Sequence, residues 1–436
     1  MAKFKISGGN PLSGEITVAG NKNAALPIIA ATILTDETCI LENMPEIRDV
    51  WSMLDLLKDL GKTVEKIQSN SYKISGPIKT NKLDKEMAGS LRASILYMSG
   101  LLARTGSIKM SPPGGCVIGR RNMQSHFSVF EAFGASIKLT DTGYEADVKD
   151  MRPATIFLPE ASVTATENAL ILAAAIPGKS TIHNAACEPH VEDLANVLIK
   201  MGANISGAGT QRVEIEGAAK LNGITHRIVP DHIEAGTFAI AAACTQGDLL
   251  IEDAMPDHLM MTEYYLRRLG VQLEYSESNV LHIKPSELKS EAKKIQVGLW
   301  PGFPTDLMSP IIILATQAQG VTLCHDWMFE SRMFFVDKLI SMGADITLCD
   351  PHRVLVNGPT KLRGQSLSSP DIRAGIALVI AGLSAKGIST IDRAELVDRG
   401  YEDIANRLKA IGADIEPVSY THLRAHETVL DLVCRL

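Results

Sequence analysis

The sequence predicts an α/β fold in which one unit is repeated six times and gathered into two similar halves of three units each. Three observations predict it. A hydrophobic residue followed by glycine recurs at Leu60-Gly61, Phe133-Gly134, Met201-Gly202, Leu269-Gly270, Met342-Gly343 and Ile411-Gly412. The glycines are 73, 68, 68, 73 and 69 residues apart, and such a near-constant period marks repeated supersecondary units. Each break is also preceded by a helix-like run and followed by two alternating, β-rich segments.

Within a unit the elements follow in order. A small-residue helix comes early: 24–34, 94–103, 166–175, 235–244, 307–316 and 372–385 are apolar nearly all round, which predicts burial rather than a surface position. A turn and a strand follow, as in Gly178-Lys-Ser-Thr-Ile-His183 and Gly387-Ile-Ser-Thr-Ile-Asp392. Next is an amphipathic helix; in 191–200, Val191, Leu194, Val197 and Leu198 share one face. The break glycine suits a left-handed helix C-cap. A strand pair closes the unit, as in 63–67 with 72–76, 203–206 with 212–217, 271–275 with 280–283 and 345–348 with 354–358. The unit therefore reads strand, buried helix, strand, surface helix, strand pair (βαβαββ). A solenoid is the rival arrangement of repeats, but it would leave the small-residue helices without enclosure on all sides. Boundaries are expected at the extended stretches 18–21 and 227–230. These give a first domain of 22–230 and a second of 231–417, which 1–21 joins if the N-terminal strand packs with the second half.

Composition narrows the function classes. At 45% hydrophobic but 5% aromatic residues, the core is aliphatic. A net charge of −7 argues against a nucleic-acid surface, which needs a clustered basic face. The N-terminal residues lack the apolar segment of a signal peptide, runs such as 308–315 are too short to cross a bilayer, and a cytoplasmic location is expected. The seven cysteines (39, 116, 187, 244, 324, 349 and 434) form no CxxC and no His/Cys cluster, which fits free thiols and offers no metal site.

One stretch stands out chemically: Ser111-Pro-Pro-Gly-Gly-Cys-Val-Ile-Gly-Arg-Arg121. Its glycines allow close approach of backbone N–H groups to a ligand, and arginines beside Cys116 favour the thiolate. In isolation it reads equally as a Gly-Pro surface turn.

The repeat, together with Gly20-Asn-Lys-Asn-Ala-Ala25, Leu91-Arg-Ala-Ser94, Gly114-Gly-Cys-Val-Ile-Gly119, Phe303-Pro-Thr-Asp306, Asp371-Ile-Arg373 and Asp398-Arg-Gly-Tyr401, resembles the enolpyruvyl transferases over about residues 1–417. The Gly-Gly-Cys loop is similar to the branch acting on an amino sugar. The resemblance implies two inside-out α/β domains closing over a cleft that holds the active site. It implies phosphoenolpyruvate as donor and a nucleotide-sugar acceptor, UDP-N-acetylglucosamine, in peptidoglycan precursor synthesis, with no cofactor, no metal, no nucleic acid and no membrane partner.

Addition–elimination of this kind must hold a phosphate and a carboxylate, deprotonate a hydroxyl and deliver a proton to carbon; oxyanions call for Lys and Arg. By the resemblance, Lys22, Arg121 and Arg399 are phosphate ligands, Arg92, Arg332 and Arg373 are further cleft arginines, and Arg332 and Arg373 hold the carboxylate. Asn23 contacts the reacting groups, and Asp371 belongs to the substrate-binding set. Asp306 is the candidate base for the sugar hydroxyl, with helix capping as its other reading. Cys116 matches the loop cysteine that serves as proton donor or product-release thiol and is alkylated by fosfomycin. Lys22 and Arg399 complete the expected catalytic set.

Four places depart from the family pattern. Asn122-Met-Gln124 replaces the usual Pro-Val/Ile-Asp, Glu160 and Thr164 stand where Lys and Gly are usual, and His232 replaces Arg. Alternative readings are therefore an enolpyruvyl transferase with a different nucleotide or sugar acceptor, or a non-catalytic ligand-binding paralogue. Residues 418–436 fit neither repeat nor motif and are expected to be a poorly ordered, non-family tail.

Overall fold

The computed structural model describes residues 2–114 and 123–419. Cys116, Arg121, Asn122 and the tail beyond 419 lie outside the described residues.

The six break glycines all have positive φ, between 89° and 119°, a conformation that costs glycine little and other residues more. Each follows a helix, and all but Gly412, which precedes the single strand Asp414–Ser419, lead into a strand pair. The hairpin Thr63–Gln68/Ser71–Ser75 and its counterparts Gln272–Glu277/Val280–Lys284 and Asp345–Asp350/Arg353–Gly358 are antiparallel. The small-residue helices are enclosed: every residue of His232–Cys244 is buried, as are all of Ile372–Ser384 but the last. These helices pack on one another inside each half, and the sheets lie outside them.

The described residues form five four-stranded sheets and one three-stranded sheet, but the units are not closed by consecutive chain. Strand Thr225–Arg227 runs parallel to Cys39–Glu42 and completes the first unit from the far end of its half. Strand Ser13–Thr17 does the same for Asp248–Glu252 in the fourth. Ala2–Gly8 lies between Gly387–Asp392 and Asp414–Ser419, antiparallel to both, and so replaces the second hairpin strand of the sixth unit. In the second unit the leading strand shrinks to a single bridge, Lys82 to Lys109. These long-range pairings close each ring of three units and cover sheet edges that would otherwise be exposed.

Two hydrophobic cores result. One runs from Ala24 to Ile228; the other combines Phe4 to Val18 with Ile233 to Ile415. We propose domain limits of 22–230 and of 1–21 with 231–417 on that basis. The two crossing strands lie side by side, with Asn21 N–H donating to Val229 O at 2.7 Å and Asp231 N–H to Ala19 O at 2.9 Å. Gly20 sits at this crossing, where a Cβ would fall 1.7 Å from the Asn43 carbonyl oxygen. Gly20→Ala should therefore cost about 3 kcal/mol or more, read as a lowered unfolding midpoint. No helix among the described residues is long and apolar enough to cross a membrane.

Candidate active site

Between the two halves lies a cavity of about 730 Å³, lined from one side by Asn23, Arg92 and Glu188 and from the other by His232, Trp300 and Asp306. Three helix N-termini with side-chain caps lie beside it. The Asn21 side chain accepts hydrogen bonds from Asn23 N–H (2.8 Å) and Ala24 N–H (3.2 Å), capping Lys22–Ala31 and setting Lys22 and Asn23 in its first turn. Asp231 caps His232–Cys244 through Ile233 and Glu234 N–H. Asp371 caps Ile372–Ser384 through Arg373 and Ala374 N–H, so its visible work is to orient the backbone that carries Arg373.

Two ion-pair groups converge there. In the first, Asp49 lies between Lys22 Nζ at 2.7 Å and Arg399 Nε at 2.9 Å. Burial would raise the Asp49 pKa, but the Lys22 and Arg399 charges and hydrogen bonds outweigh it and hold the carboxyl below its usual range. Asp49 and Lys22 come from the first half and Arg399 from the second. Glu402, three residues after Arg399, accepts from Glu46 N–H at 3.0 Å and from Asn70 Nδ2, which seats that segment on the opposite half.

In the second group, Asp306 accepts from Arg332 Nη2 at 3.1 Å and from Arg373 Nε and Nη2, both at 2.9 Å. Its side chain remains 26% exposed, whereas those of Arg332 and Arg373 are 1% and 7% exposed. Burial works to raise its pKa, but Arg373 and then Arg332 overcome this and hold the carboxyl well below the usual carboxylate range. Asp306 lies in the 3₁₀ turn Thr305–Leu307, and Met308–Gln317 has no side-chain cap. The capping reading is thus excluded, because both carboxylate oxygens are given to guanidinium groups.

The positions that depart from the family pattern have partners too. Ser125 Oγ donates to Glu160 Oε1 at 3.2 Å, and Thr164 Oγ1 pairs with His126 Nε2 at 3.2 Å. His232 lies parallel to His190 across the junction of the halves, ring centroids 6.3 Å apart, with His258 and Trp300 edge-on to it. Burial pushes His126, His190 and His232 down to about 3, so all three are neutral near pH 7.

Sequence reasoning singled out Lys22, Asn23, Arg92, Asp306, Arg332, Asp371, Arg373 and Arg399. The fold gathers Lys22 with Arg399, and Asp306 with Arg332 and Arg373, while Asn23 and Arg92 line the cavity. It missed Asp49, whose place in the first turn of Arg48–Asp59 reads from sequence as an ordinary complement to the helix dipole. It also missed Glu167, Glu188 and His190, for which no motif gave a signal.

Comparison with known proteins places this α/β repeat fold among the carboxyvinyltransferases, a class of group-transfer enzyme. The sequence pattern of the EPSP synthase (3-phosphoshikimate 1-carboxyvinyltransferase) family matches residues 6–408, and the chain belongs to that family. Among its relatives, the UDP-N-acetylglucosamine 1-carboxyvinyltransferase of Treponema denticola is 47% identical over 425 residues, covering 95% of this chain and 99% of that one. The proteins of the same name from Borrelia garinii subsp. bavariensis and Bradyrhizobium diazoefficiens are 46% and 45% identical, covering 96% and 95% of this chain and 99% and 98% of theirs. In structure, the chain is similar to the enolpyruvyl transferase NikO from Streptomyces tendae, with a TM-score of 0.87 at 23% identity over 95% of this chain and 98% of that one. The EPSP synthase from Acinetobacter baumannii has a TM-score of 0.75 at 20% identity, over 96% of this chain and 100% of that one. At such identities these two structures speak for the fold alone.

Proposed function

We propose that this protein transfers the enolpyruvyl group of phosphoenolpyruvate to the C3 hydroxyl of UDP-N-acetylglucosamine with release of phosphate, the first committed step of peptidoglycan precursor synthesis. The observation that carries the reading is the convergence of Lys22, Arg399, Arg332 and Arg373 at one end of the cleft, where their present counter-ions are the protein's own Asp49 and Asp306. An anionic donor arriving there meets guanidinium groups already fixed in direction, which lowers the reorganisation needed to bind it. Full-length relatives that carry the name of this activity at 45–47% identity support the choice of donor and acceptor. We assign the protein to the cytoplasm.

The chemistry follows in two stages. A proton is added to the methylene carbon of phosphoenolpyruvate, the adjacent carbon becomes electron-poor, and the sugar oxygen bonds to it as the hydroxyl proton leaves. A proton is then lost from the new methyl group, the double bond reforms, and the C–O bond to phosphate breaks. Asp306 stands on the cavity wall as the base for the hydroxyl. Held by two arginines it is ionised but weakly basic; donor anions that share those arginines would relax the clamp and raise its basicity. Lys22 and Arg399 are the phosphate ligands of this scheme, and Cys116 the thiol that delivers a proton or assists release.

Phosphate release from phosphoenolpyruvate, measured with UDP-N-acetylglucosamine and with other nucleotide sugars, tests the reading. Release confined to UDP-N-acetylglucosamine is expected; release only with another nucleotide sugar would change the acceptor, and none with any would leave a binding protein. Fosfomycin should label Cys116 with loss of activity; a label at another cysteine, or none, would remove Cys116 from the mechanism.

A further inference from the structure

Both arginines that clamp Asp306 lie over an aromatic ring. Arg332 Cζ is 5.4 Å from the ring centroid of Phe329, which lines the cavity, and Arg373 Cζ is 5.3 Å from that of Tyr401. Tyr401 is 1% exposed and is not among the described residues that line the cavity. Any influence it has on a substrate passes through Arg373.

Tyr401 is held by its hydroxyl. Thr237 Oγ1 donates its one proton to Ile233 O at 2.7 Å, so at 3.0 Å it accepts from the Tyr401 hydroxyl. Burial raises the Tyr401 pKa, which keeps that proton on the phenol. Thr237 belongs to the helix His232–Cys244, whose first turn reaches the cavity through His232 and Ile233. On the other side, Gly400 comes so near that a Cβ there would fall 2.5 Å from Ile372 Cγ2 and 3.8 Å from Arg373 Nη1. A chain of contacts thus runs from Ile233 through Thr237, Tyr401 and Arg373 to Asp306.

Arg373 needs such a support. Its Nε and Nη2 both meet the same Asp306 oxygen, Oδ2, while Nη1 makes no hydrogen bond among the described residues. A guanidinium anchored on a single oxygen is free to tilt, and two-point recognition of an arriving carboxylate requires its plane to be fixed. An aromatic face against it removes that freedom and is electrostatically favourable for a desolvated cation. The stretch that supplies this face also carries Arg399, paired with Asp49 of the first half.

We propose that Tyr401 is a positioning residue for the donor: its ring fixes the direction of the Arg373 guanidinium, and its hydroxyl, tethered to Thr237, fixes the ring. This assignment rests on the reading of Arg373 as a donor ligand. Tyr401 itself touches neither substrate.

Steady-state phosphate release by the full chain, with each substrate varied in turn, tests it. Tyr401→Leu removes the aromatic face and should lower kcat/KM for phosphoenolpyruvate about 30-fold, while the KM for UDP-N-acetylglucosamine moves less than about twofold. Tyr401→Phe keeps the face and loses only the tether, so its loss should be about three- to fivefold. Thr237→Val should match it, and the two combined should lose no more than either alone. In an Arg373→Lys background, Tyr401→Leu should add less than about twofold, because the group it positions is already gone. A residue that served core packing alone would act equally in both backgrounds. Losses that multiply in the Arg373→Lys background, or that fall equally on both substrates, would overturn the positioning role while leaving the function in place. If Tyr401→Leu fails to fold, the Tyr401→Phe and Thr237→Val pair decides: multiplying losses, or none, overturn the role. Absence of phosphate release by the unaltered protein would overturn both readings.

Discussion

Asp306→Asn is expected to reduce kcat by about 10³-fold, within the range seen for removing a positioned general base. The substitution keeps size and shape but removes the negative charge that Asp306 places on the wall of the cavity. It also leaves the guanidinium groups of Arg332 and Arg373 without the carboxylate they now share at 2.9–3.1 Å. The empty protein should consequently lose stability, by about 3 kcal/mol on the scale for breaking one side of a buried ion pair. Phosphoenolpyruvate should restore more of that stability in the variant than in the parent, because its anionic groups replace the missing charge. Phosphate-release kinetics and unfolding midpoints with and without phosphoenolpyruvate read both effects. Retention of more than a tenth of kcat would remove Asp306 as the base.

The same carboxylates set an acid limit. Asp306 and Asp49 both have folded-state pKa values below the ordinary 3.8 of the unfolded chain. Their contribution is complete above that value and is lost only as pH falls below it through the folded-state values. Glu167 behaves oppositely. Its folded value is raised from 4.5, so the native state retains a proton that the unfolded chain releases, and its contribution declines as pH rises above 4.5. Glu167→Gln should therefore raise the unfolding midpoint more at pH 8 than at pH 4.5, a difference that thermal melts at the two pH values will measure.

Arg399→Ala should lower kcat/KM for phosphoenolpyruvate by about 10²- to 10³-fold, equivalent to about 3–4 kcal/mol. Two losses combine. A charged phosphate ligand disappears from the scheme, and the second half loses its ion pair to Asp49 on the first. The KM for UDP-N-acetylglucosamine should move less than about threefold, since Arg399 is placed with Lys22 on Asp49. Arg399→Lys should recover only part of the activity, because an ammonium group cannot reproduce the fork that meets Asp49 through Nε and Nη2. Steady-state kinetics with each substrate varied in turn distinguish these outcomes. An equal rise in both KM values would point to general loss of the closed arrangement instead.

Much of this protein is legible in its sequence because much of it is local. The six glycines read as helix terminators do take positive φ, since a left-handed C-cap is a property of a few consecutive residues. The small-residue helices are buried, since a helix without a polar face has no stable surface position. Lys22, Asp306, Arg373 and Arg399 could be picked out because their neighbours form motifs. What the tertiary structure alone decided is what depends on distant chain segments meeting. Strands 2–8, 13–17 and 225–227 complete units 185 or more residues away from them, and no local pattern specifies a partner at that range. Asp49 becomes a bridge between Lys22 and Arg399 only when residues 350 apart are brought together. Glu167, Glu188 and His190 look like unremarkable helix residues until folding leaves one polar atom of each without a partner among the described residues. Alternation and capping are written in neighbouring residues; desolvation and the convergence of charge are consequences of packing.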